Sequence, residues 1–462
     1  MKPVKLVVIG AGSADFGPAI LADVLTNPAF EGSTLSLVDI EPNSLRLMTK
    51  LAQRMNQEWA SGVTIEAAAD RRKALPDADF VLVAVEVERM ERWRLDFEVA
   101  LKHGLRQPFS ENGGPGGFAH AARNIAIVMD ICKDMRRLCP DAWFFNYTNP
   151  VPRIAHAASK WGGVKAAGFC HGIGIGADML GELLGIPEDD LELKAAGLNH
   201  FTWVLDARRK STGKDIYPAL RRKLKSWPDG FHPLTKDVFE TFGLFPFCGD
   251  SHIAEYLQWV SDPVTKPWEK YHLNPPRFGR NGSQRRREEE WRVTKAMANG
   301  EASIDWLQEG SGERACHVAA AIAGNTNSYE LAINIPNEGY VPNLPQGAIV
   351  EVPAVVSALG IRGVPVGNLP EPIAELCRRQ TVIADLVVKA AATGDKKVAL
   401  HALLMDPMVT DIPRAQAILD DYLTVHGDLL PQFGRAPKRG VTARKRAVSQ
   451  QKRAASPRKR SR

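Results

Sequence analysis

Short apolar runs alternate with helix-period segments through the first part of the chain. "VKLVVIG" (4–10), "STLSLVDI" (33–40) and "DAWFFN" (141–146) are mostly apolar, and each is followed by a segment with apolar residues three or four apart. Apolar strands that alternate with helices are typical of a parallel sheet covered on both faces. We therefore predict an α/β fold that opens with a Rossmann-type doubly wound parallel sheet.

The pattern becomes less regular after about residue 195. Helical periodicity returns in "ERACHVAAAIAG" and "PEPIAELCRRQTVIADLVVKAAATGD", and strand-like runs joined by Asn, Gly and Pro lie between them. We predict a doubly wound domain over 1–195 and a mixed α/β domain over 196–433 that packs on it and shapes a substrate cleft. Residues 434–462 are predicted to form a disordered basic tail.

The charge of the chain is divided unevenly. Of 59 Lys and Arg, 12 lie in 435–462, which contain no acid, and the remaining 47 face 53 Asp and Glu. Without large apolar residues the tail cannot bury enough surface to offset its ordering entropy. Contact with nucleic acid through the tail is one interpretation, and a solvated extension is the one we favour.

Composition also bears on the compartment. The chain has no apolar run of about 18 residues, and "MKPVKLVVIGAGS" enters a strand pattern without a signal-type segment. Its six cysteines are scattered without framework spacing, which favours reduced thiols. We expect a cytoplasmic protein with no membrane contact.

A dinucleotide signal lies at the first strand–helix junction. Gly10 and Gly12 let the backbone approach a pyrophosphate, although Asp15 replaces the third glycine of the usual fingerprint. Asp39 ends the second strand, where a carboxylate accepts hydrogen bonds from ribose hydroxyls and would repel a 2′-phosphate. The pattern favours NAD over NADP. A tight turn with a helix-capping Asp39 is the alternative.

Further cofactor contacts are expected around this junction. Ser13 and Phe16 lie on the glycine turn, and Asn146 ends the strand "DAWFFN". With Gly10, Gly12 and Asp39, these residues make up the predicted NAD-binding set.

Two strand ends carry residues that commonly bind metals. Cys170 follows "VKAAGF", and His200 follows "LELKAAGLN". If both lie in one cleft, a thiolate and an imidazole could hold Mn, Fe, Co or Ni with positions open for substrate hydroxyls. Asn149, in "NYTNPV", is placed to reach ligand or cofactor. The alternative is that Cys170 and His200 are ordinary packed core residues.

Several of these pieces together resemble one family. The motifs "VVIGAGSADF", "LVDIEP", "NYTNPV", "GFCHG", "GLNHFTW", "GDSHIAEY" and "NIPNEGYVPNLPQGAIVEVPA" occur in the order and approximate spacing of glycoside hydrolase family 4. These are NAD- and metal-dependent glycosidases that look like relatives of lactate and malate dehydrogenases. The resemblance runs from about residue 4 to residue 425.

The resemblance implies a redox route to glycoside cleavage. NAD would oxidise the sugar at C3 and so acidify the C2 hydrogen, a base would remove that hydrogen, and C1–O would break by elimination before water adds and the ketone is reduced. It implies Cys170 and His200 as ligands of Mn²⁺ or another divalent transition metal. Asn149 would contact the substrate or the metal.

The resemblance also implies catalytic roles. His171 matches the position of the acid that assists the leaving group. Asp250 resembles the C2 base of the "CHG" branch, with His252 as its competitor and Tyr256 a turn further on. The alternative for Asp250 is a cap on a helix that begins at Ser251 or His252.

Substrate and assembly are less constrained. The "CHG" branch resembles enzymes for unphosphorylated α-glucosides, or for α-linked uronic acids. The segment "RFGRNGSQRRREEEW" could bind a carboxylate or phosphate, although we favour a solvated helix face. Relatives suggest a homodimer or homotetramer. The rival function is a 2-hydroxyacid dehydrogenase on the same scaffold, which would leave Cys170 and His200 without a role.

Overall fold

A computed structural model describes residues 2–13, 17–274 and 283–434. The predicted cofactor contact Phe16, the basic tail from residue 435 and the first part of the arginine-rich segment therefore lie outside the described residues.

One mixed sheet runs through the described part of the chain. Its parallel section has the spatial order β3-β2-β1-β4-β5-β6, which is a doubly wound arrangement. The strands of this section are β1 (Lys5–Ile9), β2 (Thr34–Val38), β3 (Thr64–Ala68), β4 (Phe80–Val83), β5 (Trp143–Asn146) and β6 (Lys165–Gly168).

The sheet continues from β6 into antiparallel strands of the second half. The order is β6-β10-β11-β7-β8-β9, and β12 also pairs with β11. Their bounds are β7 (Leu191–Leu198), β8 (Phe201–Arg209), β9 (Pro246–Phe247), β10 (Ser328–Pro336), β11 (Ile349–Ser357) and β12 (Gly360–Gly363). The predicted boundary at residue 195 thus falls inside β7, and both halves share one sheet.

Helices cover the two faces of the parallel section. Alternate residues of β1 enter opposite cores, with Leu6 and Val8 in one and Val7 in the other, as the two-residue period of a strand requires. The first core also includes Met48, and the second includes Ile125. The helices are α1 (Gly17–Leu25), α2 (Pro42–Glu58), α3 (Arg71–Ala74), α4 (Arg89–Lys102), α5 (Gly114–Leu138), α6 (Val151–His156), α7 (Gly172–Leu184), α8 (Tyr217–Lys223), α9 (Pro233–Phe242), α10 (Asp250–Ile253), α11 (Pro267–Lys270), α12 (Ser283–Asn299), α13 (Ala315–Gly324), α14 (Glu371–Thr393), α15 (Lys396–Met405) and α16 (Ile412–Val425).

The predicted α/β class and the doubly wound sheet are confirmed. The edge strand β3 was not predicted, because its "TIEAA" sequence is half-exposed to exposed and carries no apolar run. Within the described residues, no helix combines the length and the apolar character needed to cross a bilayer.

Candidate active site

Predicted functional residues gather at one edge of the sheet. Gly10 follows β1, Asp39 follows β2, Asn149 lies just beyond β5, and Cys170 lies just beyond β6. Because these strands are parallel, their carboxyl ends meet at the same edge, where open α/β sheets bind ligands.

The glycine turn is built for close backbone approach. Gly10 has a φ of 89°, and a Cβ at this position would lie 2.1 Å from the carbonyl oxygen of Ala84. The backbone N–H of Gly12 donates to Asp39 Oδ2 at 2.7 Å, and that of Glu41 donates to Asp39 Oδ1 at 2.8 Å. Asp39 therefore stands beside the turn, as a ribose-binding carboxylate would, and each oxygen keeps a lone pair for a ligand.

Two other predicted cofactor contacts lie near this edge. Ser13 continues the turn and donates its N–H to the carbonyl of Gly10 at 3.3 Å. Asn146 is fully buried at the end of β5, and its amide bonds the backbone of Thr148 in both directions, at 2.9 and 3.0 Å. In the structure Asn146 shapes the loop that leads to Asn149, and its contact with a cofactor stays a prediction.

The fold brings Cys170 and His200 together. The distance from Cys170 Sγ to His200 Nε2 is 3.4 Å, although the two residues are 30 positions apart in the chain. Metal–sulfur and metal–nitrogen bonds of about 2.3 and 2.1 Å, meeting at ordinary coordination angles, place S and N about 3.1 to 3.6 Å apart. The pair therefore fits one shared divalent ion.

A buried polar network fixes the turn that carries His200. Glu351 of β11 accepts hydrogen bonds from the Asn199 amide at 2.9 Å, the Thr202 hydroxyl at 2.6 Å and the Asn334 amide at 2.8 Å. His200 itself has a φ of 63°, a left-handed conformation that costs energy in a residue with a side chain. The surrounding bonds hold it there, and so aim the imidazole at Cys170.

Burial sets the protonation of both candidate ligands. It raises the pKa of the Cys170 thiol well above the usual value, so that a nearby cation is needed to form the thiolate. It lowers the pKa of His200 well below the usual value, which keeps the imidazole neutral and able to bind a metal. In the absence of a cation, the pair therefore stands as a neutral thiol beside a neutral imidazole.

Sequence reasoning missed further donors around His200. Ligand atoms of His200, Cys248 and His252 all lie within 4.8 Å of one another, and those of Glu111, His252 and Glu255 form a second such group. Cys248 directly follows β9, and His252 lies in α10. The motif "GDSHIAEY" pointed to this region, but it suggested Asp250 or His252 as a base and no residue as a metal ligand.

The loop at 110–113 was also missed. Asn112 Nδ2 lies 3.1 Å from His200 Nδ1, so the Asn112 amide bears on which ring nitrogen of His200 carries the proton. The adjacent Glu111 pairs with Arg89 at 2.8 Å. The sequence signal for this loop was the glycine-rich "SENGGPGG" at the start of α5, because glycines allow other groups to approach the backbone closely.

His171 has a specific partner that the sequence did not reveal. Its Nδ1 lies 2.7 Å from Glu313 Oε1, and its side chain is 47% exposed. This hydrogen bond raises the pKa of His171 above the usual value. Glu313 is placed in turn by Ser311, whose hydroxyl accepts the Glu313 N–H at 2.9 Å and bonds to the carboxylate of Asp23 on α1.

Asn149 and Asp250 differ in how they are engaged. The side-chain oxygen of Asn149 is buried and has no hydrogen-bond partner within the described residues, as expected of a group that awaits a ligand.

Asp250 accepts the N–H groups of Leu234 and Thr235 at 2.9 and 2.8 Å and the Thr235 hydroxyl at 2.7 Å. It therefore caps α9, and not the short α10 that it begins.

Glu255 holds the loop at 110–113 and suggests a test of stability. One oxygen of its buried carboxylate accepts the backbone N–H groups of Glu111, Asn112 and Gly113 at 2.6, 2.9 and 3.3 Å. Burial, followed by the charge of Glu111, raises the pKa of Glu255 from 4.5 to about 7. The folded state therefore holds this proton more tightly than the unfolded state. Its stabilising effect is complete below pH 4.5 and is lost as pH rises through 7.

We expect Glu255→Gln, which keeps an accepting oxygen without the charge, to remove this pH dependence. Urea unfolding should show the wild-type free energy of unfolding falling, relative to the variant, by up to about 3 kcal/mol between pH 4.5 and pH 8. Glu192→Gln, at an exposed position of β7, is the control and should follow the wild type. The same pH profile in Glu255→Gln and wild type would exclude this role.

Comparison with known proteins shows the family to which the chain belongs. Residues 5–186 match the family model described as family 4 glycosyl hydrolase, and residues 195–409 match the model of its C-terminal domain. An α-glucosidase of Erwinia rhapontici is 32% identical over 87% of this chain and 93% of its own length. An α-galacturonidase of Bacillus subtilis is 28% identical over 92% of this chain and 97% of its own.

A solved structure shares the fold throughout. It is a 6-phospho-α-glucosidase from gut microorganisms, in complex with NAD and Mn²⁺, with a TM-score of 0.78 and 24% identity over 93% of this chain and all of that one. The family match spans most of the chain and favours a glycosidase over the rival dehydrogenase. The chain belongs to family 4 of the glycosyl hydrolases.

Proposed function

We propose that this enzyme hydrolyses unphosphorylated α-glycosides with the help of NAD and a divalent transition metal, Mn²⁺ in the first instance. The observation that carries the proposal is the 3.4 Å approach of Cys170 Sγ to His200 Nε2 at the sheet edge that also presents Gly10 and Asp39. The relatives named α-glucosidase and α-galacturonidase support an unphosphorylated α-glycoside as substrate.

The two bound groups would supply what the side chains lack. When bound, NAD supplies a hydride acceptor for C3 of the sugar and a divalent ion supplies positive charge beside the sugar oxygens, so that the C2 hydrogen becomes acidic. Cys170 and His200 would hold the ion, and Gly10, Gly12 and Asp39 would hold the dinucleotide. The side-chain oxygen of Asn149, which has no partner among the residues that the structure describes, is available to a sugar hydroxyl.

His171 is proposed to protonate the leaving oxygen. Its Nδ1 is held by Glu313, which fixes the ring, and Nε2 has no hydrogen-bond partner within the described residues, so it can carry a proton toward the ligand. The side chain is half-exposed, as a group at the mouth of a cleft should be if it meets aglycones of different shape. Protonation of that oxygen lets C1–O break without release of an alkoxide.

Two residues are candidates for the base that removes the C2 hydrogen. Asp250, the first candidate from the sequence, is occupied by its three bonds to the start of α9. His252 lies beside His200, with ring centroids 4.2 Å apart, and its buried Nδ1 lacks a partner in the part of the chain that the structure describes. Burial lowers the pKa of His252, so the ring is neutral and able to accept a proton. These contacts favour His252 as the base and a positioning role for Asp250.

The test is hydrolysis with each component withheld. Nitrophenyl α-glucoside, α-galactoside and α-galacturonide would be offered to purified enzyme freed of nucleotide and metal, and then to enzyme supplied with NAD, Mn²⁺ and a reductant. Cleavage that requires both NAD and the metal supports the proposal. Equal cleavage without NAD, or cleavage of 6-phospho-glucosides alone, would contradict it.

A further inference from the structure

A second set of metal donors shares His200 with the candidate metal pair. Ligand atoms of His200, Cys248 and His252 all lie within 4.8 Å of one another. Ligands of one ion, bonded at about 2.0 to 2.3 Å, lie at most about 4.6 Å apart. Small movements of these side chains are therefore enough for all three to bind one ion. The set offers one sulfur and two imidazole nitrogens.

Strand pairing brings Cys248 to this place. β9 pairs with β8 so that Phe247 lies opposite Thr202, and β8 begins at Phe201, directly after His200. Cys248 follows Phe247 and therefore lies beside the turn that carries His200. Its thiol is free and buried. Burial raises the pKa of this thiol well above the usual value, so that the thiolate forms when a cation is close by.

His252 presents a ring nitrogen without a partner. Its ring contacts the ring of His200, with centroids 4.2 Å apart, and the ring of Phe109, with centroids 5.2 Å apart. Its Nδ1 is buried and has no hydrogen-bond partner in the part of the chain that the structure describes. Burial lowers the pKa of His252, so the ring is neutral. A neutral imidazole of this kind is a good ligand for a transition metal.

The types of donor favour one ion over another. Sulfur and imidazole suit Zn²⁺, whereas Mn²⁺ prefers oxygen, and for given ligands the affinity rises from Mn²⁺ to Zn²⁺. Zinc also gains a third protein donor here, which the pair of Cys170 and His200 lacks. A neutral imidazole has one nitrogen lone pair for a ligand, so His200 serves either Cys170 or the second set at one time.

We propose that His200, Cys248 and His252 form a zinc site that overlaps the catalytic metal position and holds the enzyme in an inactive state. A zinc ion in this set would withdraw His200 from Cys170. It would also engage His252, the proposed base for the C2 hydrogen. The inhibition rests on the proposed function, whereas the binding of zinc does not.

The affinities of two cysteine variants for two metals test the site. Protein freed of metal would be titrated with Zn²⁺ and, separately, with Mn²⁺ in a calorimeter. Cys248→Ser should weaken Zn²⁺ binding about 10²-fold or more, since even residues that only orient a ligand contribute about 10- to 100-fold. It should leave Mn²⁺ binding unchanged, and Cys170→Ser should lose Mn²⁺ and keep Zn²⁺. Equal Zn²⁺ affinity in wild type and Cys248→Ser, or loss of both ions in Cys170→Ser, would overturn the proposal.

Two further variants control for damage to the fold. Cys377 is an equally buried thiol on α14 and belongs to none of the donor groups among the described residues, so Cys377→Ser should bind both ions as wild type does. His252→Gln should weaken Zn²⁺ binding and keep Mn²⁺ binding, which shows that the variant is folded. Unchanged Zn²⁺ affinity in His252→Gln would contradict the proposed ligand set.

Inhibition by zinc separates this inference from the proposed function. In enzyme loaded with NAD and Mn²⁺, Zn²⁺ should slow glycoside cleavage, excess Mn²⁺ should restore the rate, and Cys248→Ser should need about 10²-fold more Zn²⁺ for the same effect. Zinc binding that depends on Cys248, in a protein that cleaves no glycoside, would support the zinc site and refute the glycosidase. Equal inhibition of wild type and Cys248→Ser would overturn the inhibitory role.

Discussion

Cys170→Ser should lose bound metal and activity together while keeping its affinity for NAD. Serine removes the soft sulfur donor that faces His200 Nε2 at 3.4 Å, and its hydroxyl is a far weaker ligand. Because charge stabilisation by a metal is worth several kcal/mol, we expect turnover to fall roughly 10³-fold or more. Metal content by elemental analysis after dialysis, and NAD affinity by calorimetry, would be measured beside the rate.

The control for this variant is Cys139→Ser. Cys139 is also a buried free thiol, but it lies between α5 and the amino end of β5, whereas the candidate site lies at the carboxyl ends of the parallel strands. Its variant should therefore keep both metal and activity. Retention of a full complement of Mn²⁺ by Cys170→Ser would exclude Cys170 as a ligand. Loss of NAD affinity in parallel would indicate general damage to the cleft and would count against the assignment.

His171→Ala should show a strong dependence on the leaving group. For an alkyl glycoside, whose oxygen must be protonated as it departs, we expect kcat to fall about 10²- to 10⁴-fold. A nitrophenolate departs without help, so the loss on nitrophenyl glycosides should be about tenfold or less. Kinetics on paired alkyl and nitrophenyl glycosides of one sugar would supply the measurement.

Glu313→Gln provides the comparison for His171. It keeps a side-chain oxygen near His171 Nδ1 but removes the charge, so it should produce a smaller loss in the same direction. Equal losses of His171→Ala on both kinds of leaving group would show that His171 does not act as the acid.

The fold could be predicted where a buried strand appears in the sequence as an apolar run. Strands β1, β2, β4 and β5 are apolar because helices cover both of their faces, and this pattern is visible without a structure. Within the described part of the chain, β3 pairs only with β2 and is largely exposed, so its composition did not mark it as a strand. In the sheet, β10 and β11 lie between β6 and β7, although they are far from both in the chain. Local sequence patterns do not predict this strand order.

The site was predictable only in part for a similar reason. Cys170 and His200 each follow a recognisable strand, and strand ends are where ligands bind in such folds. Three further residues reach the same place from irregular segments: Asn112, Cys248 and Glu313. The sequence around each of them does not indicate that they lie close to Cys170 and His200.

Hydrolysis in D₂O tests the central claim most directly. An α-galacturonide or α-glucoside would be cleaved in D₂O with NAD and Mn²⁺ present, and the released sugar examined by NMR and mass spectrometry. Removal of the C2 hydrogen by a side chain, followed by its return from solvent, predicts deuterium at C2 of the product. A product that keeps its original hydrogen at C2 would show that C1–O breaks by direct displacement, and would contradict the redox-elimination account.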